Sequence, residues 1–251
     1  MGLFDKKFCD VCGEKIGLLG NRKLEDGNLC KNCAKKLSPW FSDRRSSTVD
    51  EIKEQLAYRE ENKKAVAAFN ATRVLGTDAM VILDEDAKKF LVARSRKWQD
   101  ENPDVLDFSM VTGCDMKVSE NRSEQTRQTP DGKTVSYNPP RYVYYFNFHM
   151  IIHVKHPYFD EIAFDLNNSS ISCEMSGGFM SRSPHETPEY RQYEELGNEI
   201  KKVLTQVRSD VRASAEAAAA PKTAVTCPWC GATTMPNASG CCEYCGGALG
   251  G

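Results

Sequence analysis

Between residues 142 and 154 apolar and polar positions alternate. Tyr142, Tyr144, Phe146, Phe148, Met150, Ile152 and Val154 fall on one face, and Val143, Tyr145, Asn147, His149, Ile151 and His153 on the other. A period of two predicts a β-strand with the first set inward, its register fixed because a slip of one residue would bury the histidines. Shorter β-rich runs at 80–83 and 90–93 flank the polar Asp84-Glu85-Asp86 and predict a hairpin; 105–108, 114–118 and 159–166 are further strands. Elsewhere the period lengthens. Thr48-Val49-Asp50-Glu51 is a capping box, and Val49, Ile52, Leu56, Ala65, Val66, Ala68 and Phe69 recur at three- and four-residue steps, predicting a helix over 48–70. Its charged middle, 59–64, predicts that the helix bridges the zinc domain and the next one rather than being buried throughout. Thr187-Pro188-Glu189 reads as an N-cap followed by proline at the first helical position. Tyr190, Tyr193, Leu196, Ile200, Val203, Leu204, Val207 and Val211 then form one apolar stripe. Strands first and one amphipathic helix last is α+β ordering. Residues 119–140, with Thr129-Pro130-Asp131-Gly132 and Asn138-Pro139-Pro140, read as a long polar loop, and 213–220 as an alanine-rich tether.

Neither end fits these patterns. Cys9-Asp10-Val11-Cys12 and Cys30-Lys31-Asn32-Cys33 are C-x-x-C pairs with 17 residues between them, and Cys227-Pro228-Trp229-Cys230 and Cys242-Glu243-Tyr244-Cys245 are two more, 11 residues apart. Each C-x-x-C turn delivers two thiolates to one side of an ion, so each end is expected to hold one tetrahedral Zn²⁺. The metal ligands are therefore Cys9, Cys12, Cys30 and Cys33, and Cys227, Cys230, Cys242 and Cys245. Cys242 is chosen over Cys241 because only it keeps the two-residue spacing to Cys245. Four thiolates leave no coordination position for water or substrate, so both sites read as structural. Iron in a rubredoxin-type site is the chemical rival. Asp26-Gly27 marks a hairpin turn between the first two pairs, and 30–37 reads as a helix stopped by Pro39.

The 251 residues carry a formal charge of -2, with 40% hydrophobic and 27% charged side chains. With eight thiolates and two zinc ions the charge moves to about -6, which removes any global attraction for phosphate backbones. Eleven cysteines without a signal-peptide pattern indicate reduced thiols and a cytoplasmic location, and no apolar run is long enough to span a bilayer. Residues 223–251 contain no Lys or Arg, while 1–47 carry ten basic and six acidic side chains. Nucleic-acid binding is therefore confined to the N-terminal end and expected to be weak. No nucleophile-and-base motif occurs, so no catalytic and no organic-cofactor residues are assigned and the chain is not expected to be an enzyme. His149 and His153 read as a solvated strand face with no carboxylate nearby. Lys89, Arg94, Arg96 and Lys97 read as a charged surface loop, and Cys114 and Cys173 as small core residues.

The residues Cys9-Asp10-Val11-Cys12-Gly13-Glu14-Lys15-Ile16-Gly17-Leu18-Leu19-Gly20, Asp26-Gly27 and Cys30 to Cys33 resemble a bacterial family of N-terminal four-cysteine, treble-clef-like domains of unknown function, over 9 to about 37. Residues 225–247 resemble the zinc-ribbon tails of bacterial proteins. The order of elements over 72–212 resembles a pleckstrin-homology-like domain, an open barrel or bent sheet closed by a helix, which implies a module that binds proteins or lipids. The expected organisation is a zinc domain at 1–45, a connecting helix at 46–71, the β domain at 72–212, a linker at 213–224 and a zinc ribbon at 225–251. The function it suggests is a zinc-binding adaptor engaging another macromolecule, with protein favoured as the partner. The alternatives are a nucleic-acid-binding regulator working through the N-terminal domain and an iron-binding redox protein.

Overall fold

Two short hairpins frame the first cysteine pairs in the computed structural model, which describes residues 7–175, 183–219, 224–237 and 240–249. β1 (Lys7–Phe8) and β2 (Lys15–Ile16) pair on either side of the Cys9–Cys12 turn. β3 (Arg22–Lys23) and β4 (Asn28–Leu29) form the hairpin expected at Asp26-Gly27, closed by Leu24 N–H donating to the Gly27 carbonyl at 2.9 Å. α1 (Lys31–Ala34) is shorter than the expected 30–37 run and is capped at its start by Cys30.

α2 (Val49–Ala68) keeps its capping box: Thr48 Oγ1 accepts the Glu51 N–H at 3.3 Å, and the Glu51 carboxylate accepts the Thr48 N–H at 2.8 Å. The helix is buried along one face only, and that face runs through its charged middle. Its buried residues are Ile52, Gln55, Arg59, Asn62 and Val66, one helical stripe with a polar centre. Ile52 packs with Leu24, Leu29 and Leu37 in the core of the zinc domain, whereas Val66 packs with Met80, Ile82, Leu91 and Trp98.

Between these cores lies a buried polar seam. Arg59 Nη1 is 2.6 Å from Asp104 Oδ1, with side chains 7% and 0% exposed. Ser38 Oγ donates to Asp104 Oδ2 at 2.7 Å and the Tyr58 hydroxyl to Asp104 Oδ1 at 3.1 Å. Arg59 also donates to the carbonyls of Lys36 and Asn102, and Asn62 ties the carbonyl of Pro103 to the N–H of Val105. Burial, then the Asp104 carboxylate, pushes the Tyr58 hydroxyl far above its ordinary value, so it stays a donor. The polar residues are buried because each meets a partner on the zinc domain or on 102–105, which satisfies the rule that interior charge is paired. Gln55 is the exception: fully buried, with neither side-chain atom hydrogen-bonded.

β5 (Arg73–Leu75), β6 (Met80–Asp84), β7 (Lys89–Ala93) and β8 (Leu106–Asp107) form a meander sheet in that order, with α3 (Trp98–Glu101) between β7 and β8. A second sheet is built on the alternating run. β9 (Val111–Glu124) pairs along β12 (Tyr142–Val154), and β10 (Thr126–Gln128) and β11 (Thr134–Ser136) make a hairpin between them. β12's other edge carries β13 (Glu161–Asp165) and β14 (Ile171–Met175). No closed barrel forms among the described residues. Phe146, Phe148, Met150, Ile152 and Val154 are buried as expected, while Tyr142 and Tyr144 are only half-buried.

The expected 119–140 loop is instead strand and hairpin. Ser119 to Glu124 pair with Tyr142 to Asn147 although nearly every side chain is exposed, because the ladder is made by backbone groups on a long neighbouring strand. Gly132, at φ +79°, closes the Thr129–Lys133 turn.

α4 (Pro188–Ala219) starts as predicted, Thr187 Oγ1 accepting the Tyr190 N–H, and continues through the alanines expected to be tether; alanine is the best helix former. Tyr190, Ile200, Val203 and Leu204 are buried. Gly197 allows close approach: a Cβ there would lie 2.1 Å from Met116 Sδ. The Val211 side chain and residues 220–223 lie outside the described residues. By internal contacts the chain forms two units, Met1–Arg208 and Ser209–Gly251. In the second, β15 (Val225–Thr226) pairs with β16 (Thr233–Thr234), and Cys241 bridges Ala248.

His156 is expected to give the first unit a pH dependence. Its ring lies 4.2 Å from Phe159 and 5.1 Å from Tyr58, and its Nδ1 accepts the Tyr158 N–H at 3.4 Å. Burial, opposed by the Asp104 charge, holds it below its ordinary 6.5. A depressed histidine pKa contributes stability above 6.5 that is lost as pH falls through the folded value. Melting in excess zinc at pH about 7.5 and about 5.5 should therefore show a larger acid loss for the natural chain than for His156→Phe. Equal losses would contradict the assignment.

Candidate metal centres

Three of the four C-x-x-C turns are built alike. Gly13, Gly231 and Gly246 adopt φ of +75°, +71° and +71°, and their N–H groups donate back to the carbonyls of Cys9, Cys227 and Cys242 at 2.8, 2.9 and 2.8 Å. Glycine follows the second cysteine of these three pairs, Cys12, Cys230 and Cys245, because the reversal needs a left-handed residue. Cys9 N–H, Cys227 N–H and Cys242 N–H in turn donate to Glu14, Ala232 and Gly247. The Cys30–Cys33 pair differs: Cys30 is the N-cap of α1 and its Sγ accepts the Cys33 N–H at 3.3 Å. Knuckle, hairpin and helix start is the treble-clef-like order expected of the first domain.

These turns bring the eight predicted cysteines into two quartets, Cys9, Cys12, Cys30, Cys33 and Cys227, Cys230, Cys242, Cys245, in each of which all sulfurs lie within 4.8 Å of one another. Cys242, not Cys241, completes the second. All are free thiols, and the sulfur pairs Cys12–Cys30, Cys227–Cys245 and Cys230–Cys242 stand 3.7, 3.6 and 3.7 Å apart. That is far too long for a disulfide, but four sulfurs each about 2.3 Å from a common ion sit about 3.8 Å apart. The donor set and spacing fit a tetrahedral metal ion, zinc among them.

Electrostatics points the same way. Burial works against the Cys9 thiolate, but the N–H groups of Cys12, Cys30 and Val11 bring the thiol down to about 7. Burial and then the Cys12 and Cys30 sulfurs push Cys33 strongly up. Cys227 behaves like Cys9, lowered against burial to about 7 by the Cys230 and Trp229 N–H groups. Although the Gly247 N–H favours its anion, Cys245 is raised to about 12 by the Cys230 and Cys227 sulfurs. In each quartet one thiolate is stabilised, while Cys12 and Cys33 in the first and Cys230 and Cys245 in the second resist ionising beside it; a divalent cation is what allows four thiolates together.

Among the described residues no other group of three or more His, Cys, Asp or Glu converges in this way. His149 and His153 do have carboxylates nearby, contrary to expectation. His149 Nδ1 is 2.9 Å from Asp165, and His153 lies between Asp115 at 3.1 Å and Glu161 at 3.2 Å. The partners come from β13 and β9, so only the strand register reveals them. Cys173 is buried and Cys114 half-buried, its thiol raised to about 12 by burial. Lys89 lies on β7, while Arg94, Arg96 and Lys97 are exposed before α3.

Two further surfaces bear on function. An open groove of about 660 Å³ is lined by Asp43, Glu51, Glu54, Asp160, His156 and Tyr158, with no Lys or Arg. On the ribbon, Trp229 and Tyr244, at equivalent positions of the two knuckles, are each 75% exposed, and Gly247 leaves room for the Trp229 ring. No helix of the described residues is long and apolar enough to cross a membrane.

Comparison with curated proteins and with solved structures gives no match to the chain. The segment that does match is the first four-cysteine domain together with the opening turns of α2. Residues 7–55 match a family model described as "Domain of unknown function (DUF4428)", which extends the resemblance past the second C-x-x-C pair to the capping box.

Proposed function

We propose that the chain is a non-enzymatic adaptor in which two structural zinc sites, ligated by Cys9, Cys12, Cys30 and Cys33 and by Cys227, Cys230, Cys242 and Cys245, hold interaction modules whose partner is a protein. The observation that carries this reading is the exposure of Trp229 and Tyr244, both 75%, on a ribbon without a single Lys or Arg. Aromatic side chains held rigidly by metal-stapled turns supply interface area at little entropic cost, and Trp and Tyr are the residues most enriched at binding hot spots. Closed tetrathiolate sites offer no coordination position for a substrate, which supports a structural role for the metal. A four-stranded meander, a second antiparallel sheet and a terminal helix are the elements of a pleckstrin-homology-like module, which supports a binding role for the central domain.

The nucleic-acid reading through the N-terminal domain is favoured by exposed Lys31, Lys35 and Lys36, but the groove beside α2 carries four carboxylates. Iron would satisfy the same quartets and would colour the protein.

The test is affinity capture from nuclease-treated lysate with the full chain and with Trp229→Ala/Tyr244→Ala. Loss of two hot-spot aromatics costs about 2 kcal/mol or more, so the captured protein should fall at least about thirtyfold in affinity while the zinc content stays unchanged. Equal capture by both chains would rule out the ribbon as the contact.

A further inference from the structure

The most exposed large apolar side chains among the described residues are adjacent: Leu18 at 88% and Leu19 at 89%. An isolated exposed leucine needs no explanation. This pair is held at the tip of a tight turn, Gly20 N–H donating to the Gly17 carbonyl at 2.9 Å, and Arg22 Nη1 braces the Leu19 carbonyl at 3.3 Å. The turn links β2 to β3 and follows the knuckle that carries Cys9 and Cys12, two of the first quartet.

Around the tip the charge is basic. Lys15 precedes it on β2 and Arg22 and Lys23 follow it on β3. Arg44 donates to the Lys23 carbonyl at 2.6 Å, and Arg22 and Arg45 lie close enough for their charges to act on it. None of these five cations pairs with a carboxylate among the described residues, in contrast to Arg59, Arg73, Lys53, Lys63 and Lys64. The nearest acidic residues in sequence are Glu14, Glu25, Asp26 and Asp43; Asp26 accepts the Val49 N–H, and Glu25, whose N–H donates to the Ser47 carbonyl at 2.9 Å, lies beside the segment that carries Arg44 and Arg45.

We propose that the Gly17–Gly20 tip is a peripheral membrane contact: Leu18 and Leu19 insert into the surface of an anionic phospholipid bilayer while Lys15, Arg22, Lys23, Arg44 and Arg45 seat on its headgroups. A convex apolar tip inside a cationic collar is complementary to an anionic layer over a hydrocarbon interior. Nucleic acid matches the collar but offers nothing to aliphatic side chains, since bases are bound by stacking on aromatic rings. Burying each leucine favours the bound state by a factor of about ten to a hundred, and each cation near an anionic surface by about fivefold. Neither term suffices alone, which is the two-signal logic of reversible membrane anchoring.

The experiment is flotation of the zinc-loaded full chain with vesicles of phosphatidylcholine alone and of phosphatidylcholine with phosphatidylglycerol, repeated at high salt. Binding is expected to the anionic vesicles, to weaken with salt, and to fall at least about tenfold in Leu18→Ser/Leu19→Ser. Arg44→Gln/Arg45→Gln should lose binding and part of the salt dependence. Because both leucines are exposed, the serine variant keeps its fold, checked by two zinc ions per chain. As an independent readout, Leu19→Trp should gain fluorescence quenching by brominated lipid that the natural chain lacks. Absence of flotation with anionic vesicles, or equal flotation of the serine variant, overturns the proposal. So does transfer of the leucine dependence to self-association, or of the collar dependence to RNA or DNA, without vesicle binding.

Discussion

Cys33→Ser will leave the chain with one zinc ion in place of two and with residues 7–47 unfolded. The reason is the size of what the metal supplies. Structural zinc contributes about 10–16 kcal/mol to the folding of a small domain, whereas a core of a few tens of residues rarely supplies more than about 3–5. The N-terminal core illustrates this: apart from the cysteines it consists of Ile16, Leu24, Leu29, Leu37 and Ile52, and the last is borrowed from α2. Loss of backbone amide dispersion for 7–47, with native mass spectrometry reporting one ion, is the expected pair of observations. Because Ser38 and the Lys36 carbonyl belong to the polar seam, the remainder of the first unit should also lose stability. An undisturbed amide spectrum would show that the domain does not depend on its metal.

The second large effect is expected at the seam. Arg59→Met removes the cation from an Asp104 carboxylate that is 0% exposed, and breaking one partner of a buried pair costs about 3–5 kcal/mol. For a unit of this size that is a fall in melting temperature of roughly 6–20 °C. The Ser38 and Tyr58 hydroxyls still donate to Asp104, so the effect should sit toward the lower end. Arg59→Met/Asp104→Leu should recover much of the loss, since replacing both charges by apolar groups removes the uncompensated ion. Thermal unfolding of the three chains measures this. A single variant as stable as the natural chain would mean that Asp104 is not confined as described.

What was legible in the sequence was local. The Cys9–Cys33 and Cys227–Cys245 spacings, the Thr48/Glu51 box, the alternation from Tyr142 to Val154 and the Thr187-Pro188 helix start each follow from rules that act over a few residues. The parts that escaped are decided by a partner far along the chain. Arg59 and Asn62 lie in a charged stretch of helix, and nothing local says that they meet 102–105, more than 40 residues away. Ser119 to Glu124 carry no inward apolar set, and only the length of β12 makes them strand. The carboxylates beside His149 and His153 are visible only through the register with β13 and β9. Thr129-Pro130-Asp131-Gly132 reads in the sequence as part of a long loop and not as the turn of a hairpin, because its flanking strands are three residues each and carry a single apolar side chain, Val135.

The adaptor account depends first on what the two quartets hold, and that is settled by elemental analysis of the purified chain combined with native mass spectrometry. The account predicts two zinc ions per chain, a colourless protein, and the loss of one ion each in Cys33→Ser and Cys245→Ser. Iron with visible absorbance, or a metal content unchanged when either cysteine is removed, would contradict it.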